Sequence, residues 1–149
     1  MRIYLESSVP NFLFADDAPE KQEITKKFFE RELHKYEAFI SPLVITEINK
    51  STEEKKIKLN NVIKQYKPKL LEISEEAKNI SKSYIEEGII PGKYSDDALH
   101  IAVAVVNKMD VIVSWNMEHI VKLKTIVGVN KINKKFGYKE ILINTPEEV

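Results

Sequence analysis

The residues best suited to chemistry in this chain are acids far apart in sequence: Glu6, Glu47, Asp96 and Asp97. Glu6 follows the apolar run Ile3 to Leu5, and Glu47 stands a little over one turn into the helix opened by Ser41-Pro42. Asp96 and Asp97 open an apolar helix, and Ser114-Trp115-Asn116 follows the run Val111 to Val113. Carboxylates gathered at one point repel each other, and burying them unpaired is costly. A divalent cation supplies the missing charge, lowers the pKa of a bound water and stabilises a phosphorane-like transition state. Two such ions would stand roughly 4 Å apart, bridged by carboxylates. Spacing alone leaves ordinary readings open. Glu47 also reads as a solvated helix acid, Asp96 and Asp97 as first-turn acids complementing the helix dipole, and Glu6 as a loop residue.

The chain has no cysteine, so any metal must sit on carboxylate, amide or imidazole, a set that suits magnesium or manganese. His100 follows Asp97 by three residues and Asp96 by four, so it shares a helical face with both. It reads first as a core histidine and second as a group that orients a carboxylate. Ser8 and Ser114 are placed either to hydrogen-bond an acid or metal-bound water, or to cap backbone amides, and Asn11 reads the same way. Trp115 would stack on a base or pack in the core. His119 reads as a surface residue or helix start, and His34 carries no signal. Lys50 to Lys69 holds seven lysines and two glutamates, either a phosphate-attracting flank or a solvated helix face.

The elements that must position these groups alternate. Ile3 to Leu5, Phe39-Ile40, Val111 to Val113 and Ile141 to Ile143 read as strands, with Leu70 to Ile73 a strand or an extended connection. Glu20 to Tyr36 has helical apolar spacing, and Thr52 to Tyr66 reads as a helix interrupted near Pro68. A further helix starts at Ser74 and is stopped by Gly88. Ser95 is placed to cap a helix from Asp96 to about Asn107 that is apolar almost all round, and so packed on several sides. Strands separated by helices predict an α/β fold with a mostly parallel central sheet. Ligands of such sheets bind beyond the carboxyl ends of the strands, where the acids fall.

At 149 residues and 43% hydrophobic, without repeats or linkers, the chain reads as a single domain over 1–149. Lys+Arg and Asp+Glu are equal at 23 each, which argues against a strongly basic, nonspecific nucleic-acid binder. Glu6 interrupts the opening where a signal peptide needs an apolar run, and no stretch is long enough to cross a membrane. A soluble, cytoplasmic protein is expected.

At these positions the chain resembles the PIN-domain family, in its VapC-like toxin ribonuclease branch. Tyr4-Leu5-Glu6-Ser7-Ser8-Val9-Pro10-Asn11-Phe12 looks like the first motif, and Ile40-Ser41-Pro42-Leu43-Val44-Ile45-Thr46-Glu47-Ile48 like the second. Asp97-Ala98-Leu99-His100-Ile101-Ala102-Val103-Ala104 is close to the third and most specific, and Val111 through Asn116 to Ile120 is similar to the fourth. The tail, from Ile132-Asn133 through Gly137-Tyr138 to Ile143-Asn144-Thr145-Pro146-Glu147-Glu148, is similar to one branch of the family. The likeness implies a three-layer α/β/α sandwich, a Mg²⁺ or Mn²⁺ site of clustered acids, and hydrolysis of RNA phosphodiester bonds. Many small members are toxins of type II toxin–antitoxin pairs, silenced by a cognate antitoxin.

Carried over by position, the catalytic residues would be Glu6, Glu47, Asp97 and Asn116. The metal ligands would be Glu6, Glu47 and Asp97, with Asp96 either a fourth acid or a solvent-facing helix start. Two departures stand out. The first acid is usually aspartate and here is Glu6, and the fourth position is often aspartate and here is Asn116, which offers a carbonyl oxygen but no charge. Both are familiar in the branch with this tail. Phe28, Phe29 and Leu33 read as core; in the family the equivalent helices often form the dimer contact or antitoxin groove, so a homodimer and an exposed apolar patch on that helix are expected by resemblance. The competing expectations are a non-catalytic PIN-fold module that binds RNA or protein, and a phosphodiesterase acting on DNA or structured RNA.

Overall fold

A computed structural model of residues 1–149 places β1 (Arg2–Leu5) at the centre of a five-stranded sheet. The others are β2 (Glu37–Ile40), β3 (Lys69–Leu70), β4 (Val111–Val113) and β5 (Leu142–Asn144). The order is β3-β2-β1-β4-β5 and every pairing is parallel. Leu5 pairs with Val113, so the residues that follow β1 and β4 emerge side by side. After β3 the chain crosses back over β1 to form β4, so the strand order switches direction between β1 and β4. Such a switch opens a crevice at the carboxyl edge of the sheet.

Alternation along the strands sends side chains into two cores. Ile3, Leu5, Val111 and Val113 pack on one face with Val9, Phe28, Val44 and Leu59. Tyr4 and Ile112 pack on the other with Ile80, Tyr84, Ile101 and Val129. The first face is covered by α1 (Ser8–Phe12), α2 (Pro19–Lys27), α3 (Pro42–Asn49) and α4 (Glu53–Tyr66). The second is covered by α5 (Glu75–Glu86), α6 (Ser95–Val106) and α7 (Leu123–Lys135). The expected three-layer α/β/α arrangement is the one observed.

Ser41, Thr52 and Ser74 cap their helices, their Oγ atoms accepting from the amides of Leu43, Lys55 and Ala77. Four local expectations need correction. Ser95 is not a cap: a 3₁₀ turn over Gly92–Tyr94 feeds directly into α6, which begins at Ser95. The helix expected over Glu20 to Tyr36 is regular only to Lys27, then widens to a π turn at Phe28–Glu32 and tightens to 3₁₀ at Leu33–Lys35. Adjacent α-helical residues point about 100° apart, and the wider turn lets both Phe28 and Phe29 stay buried with their rings edge to face. The last strand starts at Leu142 because the amide of Ile141 donates to Asn130 Oδ1 at 2.8 Å. Finally, α7 lies where no element was expected. Phe28, Phe29 and Leu33 are buried, as core residues should be; exposed apolar side chains stand at Ile57, Leu70, Leu123 and Val127. No helix is long and apolar enough to cross a membrane.

Candidate metal centre

Glu6 continues β1, its amide donating to the carbonyl of Val113 at 3.1 Å, and its side chain is only 5% exposed. Three donors fix the carboxylate. The hydroxyls of Ser8 and Ser114 each donate to Oε1 at 2.6 Å, and the amide of Ser8 donates to Oε2 at 3.1 Å. The same hydroxyl oxygens accept from the amides of Trp115 (2.8 Å) and Asn116 (2.9 Å). Ser8 and Ser114 therefore do both things expected of them: they hold an acid and they satisfy backbone amides.

Glu47 reaches the same edge from α3. Its Oε1 lies 3.1 Å from His100 Nε2 on α6. Burial would raise the Glu47 pKa, but the His100 and Ser7 hydrogen bonds and the charges of His100 and Lys50 outweigh it and hold it below the usual value. His100 is 1% exposed, as the core reading has it, and its hydrogen bond to a carboxylate is with Glu47, not with Asp96 or Asp97 on its own helix. Burial would lower its pKa; the Glu47 hydrogen bond and the charges of Glu6, Glu47 and Asp97 prevail and raise it.

Asp97, in the first turn of α6, is half-buried. Burial first, and the charge of Glu6 second, push its pKa up, while His100, His119 and Asn116 pull the other way. One ligand atom each from Glu6, Glu47 and His100 lies within 4.8 Å of the others. Asp97 stands just outside that group, close enough for its charge to act on His100. Asp96 is exposed and outside the group. Asn116 Oδ1, the oxygen expected to be on offer, accepts from the amide of His119 at 2.9 Å, and this leaves the amide nitrogen of Asn116 on the Asp97 side.

Other candidates resolve locally. Asn11 donates to the carbonyl of Ser7, and Trp115 is 7% exposed with its indole N–H on Thr25 Oγ1. His119, expected at the surface, is half-buried and stacks on Tyr94, the ring centroids 3.8 Å apart. Nothing in the sequence marks that pairing, nor the hydroxyl of Tyr4, which lies at an apolar-reading strand position and bonds to Ser41 and His100. The largest surface groove, lined by Phe29, Leu33, Tyr36 and Tyr66, contains none of these groups.

The donor set fits a hard divalent cation. Two carboxylates, Glu6 and Glu47, meet with Asp97 near enough to feel the charge of Glu6, none of the three is ion-paired with a lysine or arginine, and no thiolate is present. No family model matches the chain, and no curated protein matches its sequence. Among solved structures, the chain is similar to one of VapBC2 from Rickettsia felis, bound to a DNA fragment from their promoter. The match has a TM-score of 0.54 at 14% identity and covers 97% of this chain and 98% of that one. The fold is PIN-like. Within that PIN-like frame the crevice between β1 and β4 holds Glu6 and Ser114, with α3 and α6 delivering Glu47 and Asp97 from either side of the sheet.

Proposed function

We propose that the chain, as one domain over 1–149, is a Mg²⁺- or Mn²⁺-dependent endoribonuclease and the toxin component of a type II toxin–antitoxin pair. The observation that carries this reading is the meeting of Glu6 and Glu47 at the switch point of a PIN-like sheet, with Asp97 near enough for the charge of Glu6 to act on it and no lysine or arginine ion-paired to any of the three. These three acids would hold the ion, with Asp96 at the rim. The ion supplies Lewis-acid stabilisation of charge on the phosphate. Ser8 and Ser114 keep Glu6 in one orientation, so the site does not reorganise during reaction. Together the three acids would orient and activate the attacking water, and the Asn116 amide steadies the charged form of Asp97. The neighbour's assembly as VapBC2 supports an antitoxin as partner, and the resemblance supports a homodimer.

The test is cleavage of a structured RNA with and without Mn²⁺. Cutting should require the ion and fall at least about 100-fold in Asp97→Asn; an Asp97→Asn protein that cuts at the wild-type rate would refute the assignment. A second reading, a PIN-fold module that binds RNA or protein without cutting, is favoured by Asn116, whose oxygen is already engaged by the His119 amide. It expects binding that survives chelation of divalent ions.

A further inference from the structure

Tyr4, Ser41 and His100 are 0%, 0% and 1% exposed and form one chain of hydrogen bonds ending on Glu47. The amide of Leu43 donates to Ser41 Oγ at 3.3 Å. Ser41 Oγ and Tyr4 Oη are 2.7 Å apart, Tyr4 Oη and His100 Nδ1 2.6 Å, and His100 Nε2 lies 3.1 Å from Glu47 Oε1, with Ser7 Oγ farther off at 3.5 Å and itself bonded to Glu47. Only one direction uses every hydrogen. With Ser41 donating to Tyr4 and Tyr4 donating to Nδ1, each buried hydroxyl donates once and accepts once. The ring then carries its hydrogen on Nε2, facing Glu47. In the reverse direction Tyr4 donates to Ser41, and the Ser41 hydroxyl hydrogen has no acceptor in a fully buried residue, a costly arrangement.

Proximity alone would count His100 with Glu6 and Glu47 as a third ligand. A ring nitrogen that bears hydrogen has no lone pair to give. We infer that His100 is a positioning residue that holds one oxygen of Glu47 through Nε2–H, and that it is not a ligand of the ion, Tyr4 and Ser41 fixing the tautomer. The inference rests on the metal-dependent reading above. A ring charged by protonation at Nδ1 would also carry Nε2–H toward Glu47, while leaving the Ser41 hydroxyl hydrogen without an acceptor. Partners that orient a ligating carboxylate in this way typically govern affinity 10–100-fold.

Two measurements test it together. Long-range ¹H–¹⁵N correlation spectra of His100 in the wild type should show Nε2 protonated both without ions and after Mg²⁺ is added. Loss of that proton on adding Mg²⁺ would make His100 a ligand and overturn the inference. Calorimetry with Mn²⁺ should show affinity about 10–100-fold weaker in His100→Ala and largely recovered in His100→Gln, whose amide nitrogen can donate from the position of Nε2. Melting curves identify a variant that has merely unfolded, and in that event the spectra of the wild type decide. Wild-type affinity with an equally tight His100→Ala variant would overturn this inference alone. No Mn²⁺ affinity in the wild type would overturn the metal reading and this inference with it.

Discussion

Asp97 bears the most strained charge of the crevice. Burial and the charge of Glu6 raise its pKa above the ordinary 3.8, so its contribution to stability is complete below that pH and is lost as pH rises through the raised value. The ion-free protein therefore carries a cost at neutral pH. Asp97→Asn is therefore expected to melt at a higher temperature than the wild type at neutral pH without ions. The advantage should vanish at acid pH, which melting curves in chelator from pH 3 to pH 8 would check. Glu6 sits differently, anchored by three donors. Ser114→Ala removes one donor and orphans the amide of Asn116, so it should cost about 1–3 kcal/mol in denaturant unfolding and weaken Mn²⁺ binding about 10-fold. At this scale the acids were legible because Glu6 follows a strand, Glu47 lies in the helix after one, Asp97 opens an apolar helix, and their neighbours resemble family motifs. The hydroxyl of Tyr4 was not, since its partners Ser41 and His100 lie 37 and 96 residues away.

Helices were legible where caps and apolar spacing agreed, as at Ser41, Thr52 and Ser74. They were not where packing overrode local preference. In α7, Gly128 and the β-branched residues Thr125, Ile126, Val127 and Val129 lower helix propensity, and the helix persists because its buried face packs against the sheet and α5. Gly128 itself is required by a close approach: a Cβ there would stand 2.8 Å from Ile89 Cγ1 and 3.0 Å from two further Ile89 carbons. The end of α4 shows the opposite case. Lys67 stops the helix at φ 50° and ψ 50°, its amide donating to Ile63, and Pro68 follows. A lysine is strained in that left-handed conformation and glycine is not, so Lys67→Gly should raise stability by about 0.5–1 kcal/mol, read from the denaturation midpoint.

For the molecule as a whole, the parallel sheet followed from strands alternating with helices, but the order β3-β2-β1-β4-β5 had no local signature, since it is set by pairings between strands far apart in the chain. That order matters most for function, because it puts the end of β1 beside the end of β4 and lets α3 and α6 close on the same crevice. With 23 basic and 23 acidic residues, long-range attraction for RNA is weak, and the crevice itself is acidic. Under the proposed function, a bound ion would reconcile an acidic crevice with a polyanionic substrate. Calorimetric titration with Mn²⁺ of the wild type, Asp97→Asn and Glu47→Gln tests this most directly. Binding by the wild type that is lost in both variants is the expected result. A wild type that binds no Mn²⁺, or variants that bind it as tightly as the wild type, would contradict the account.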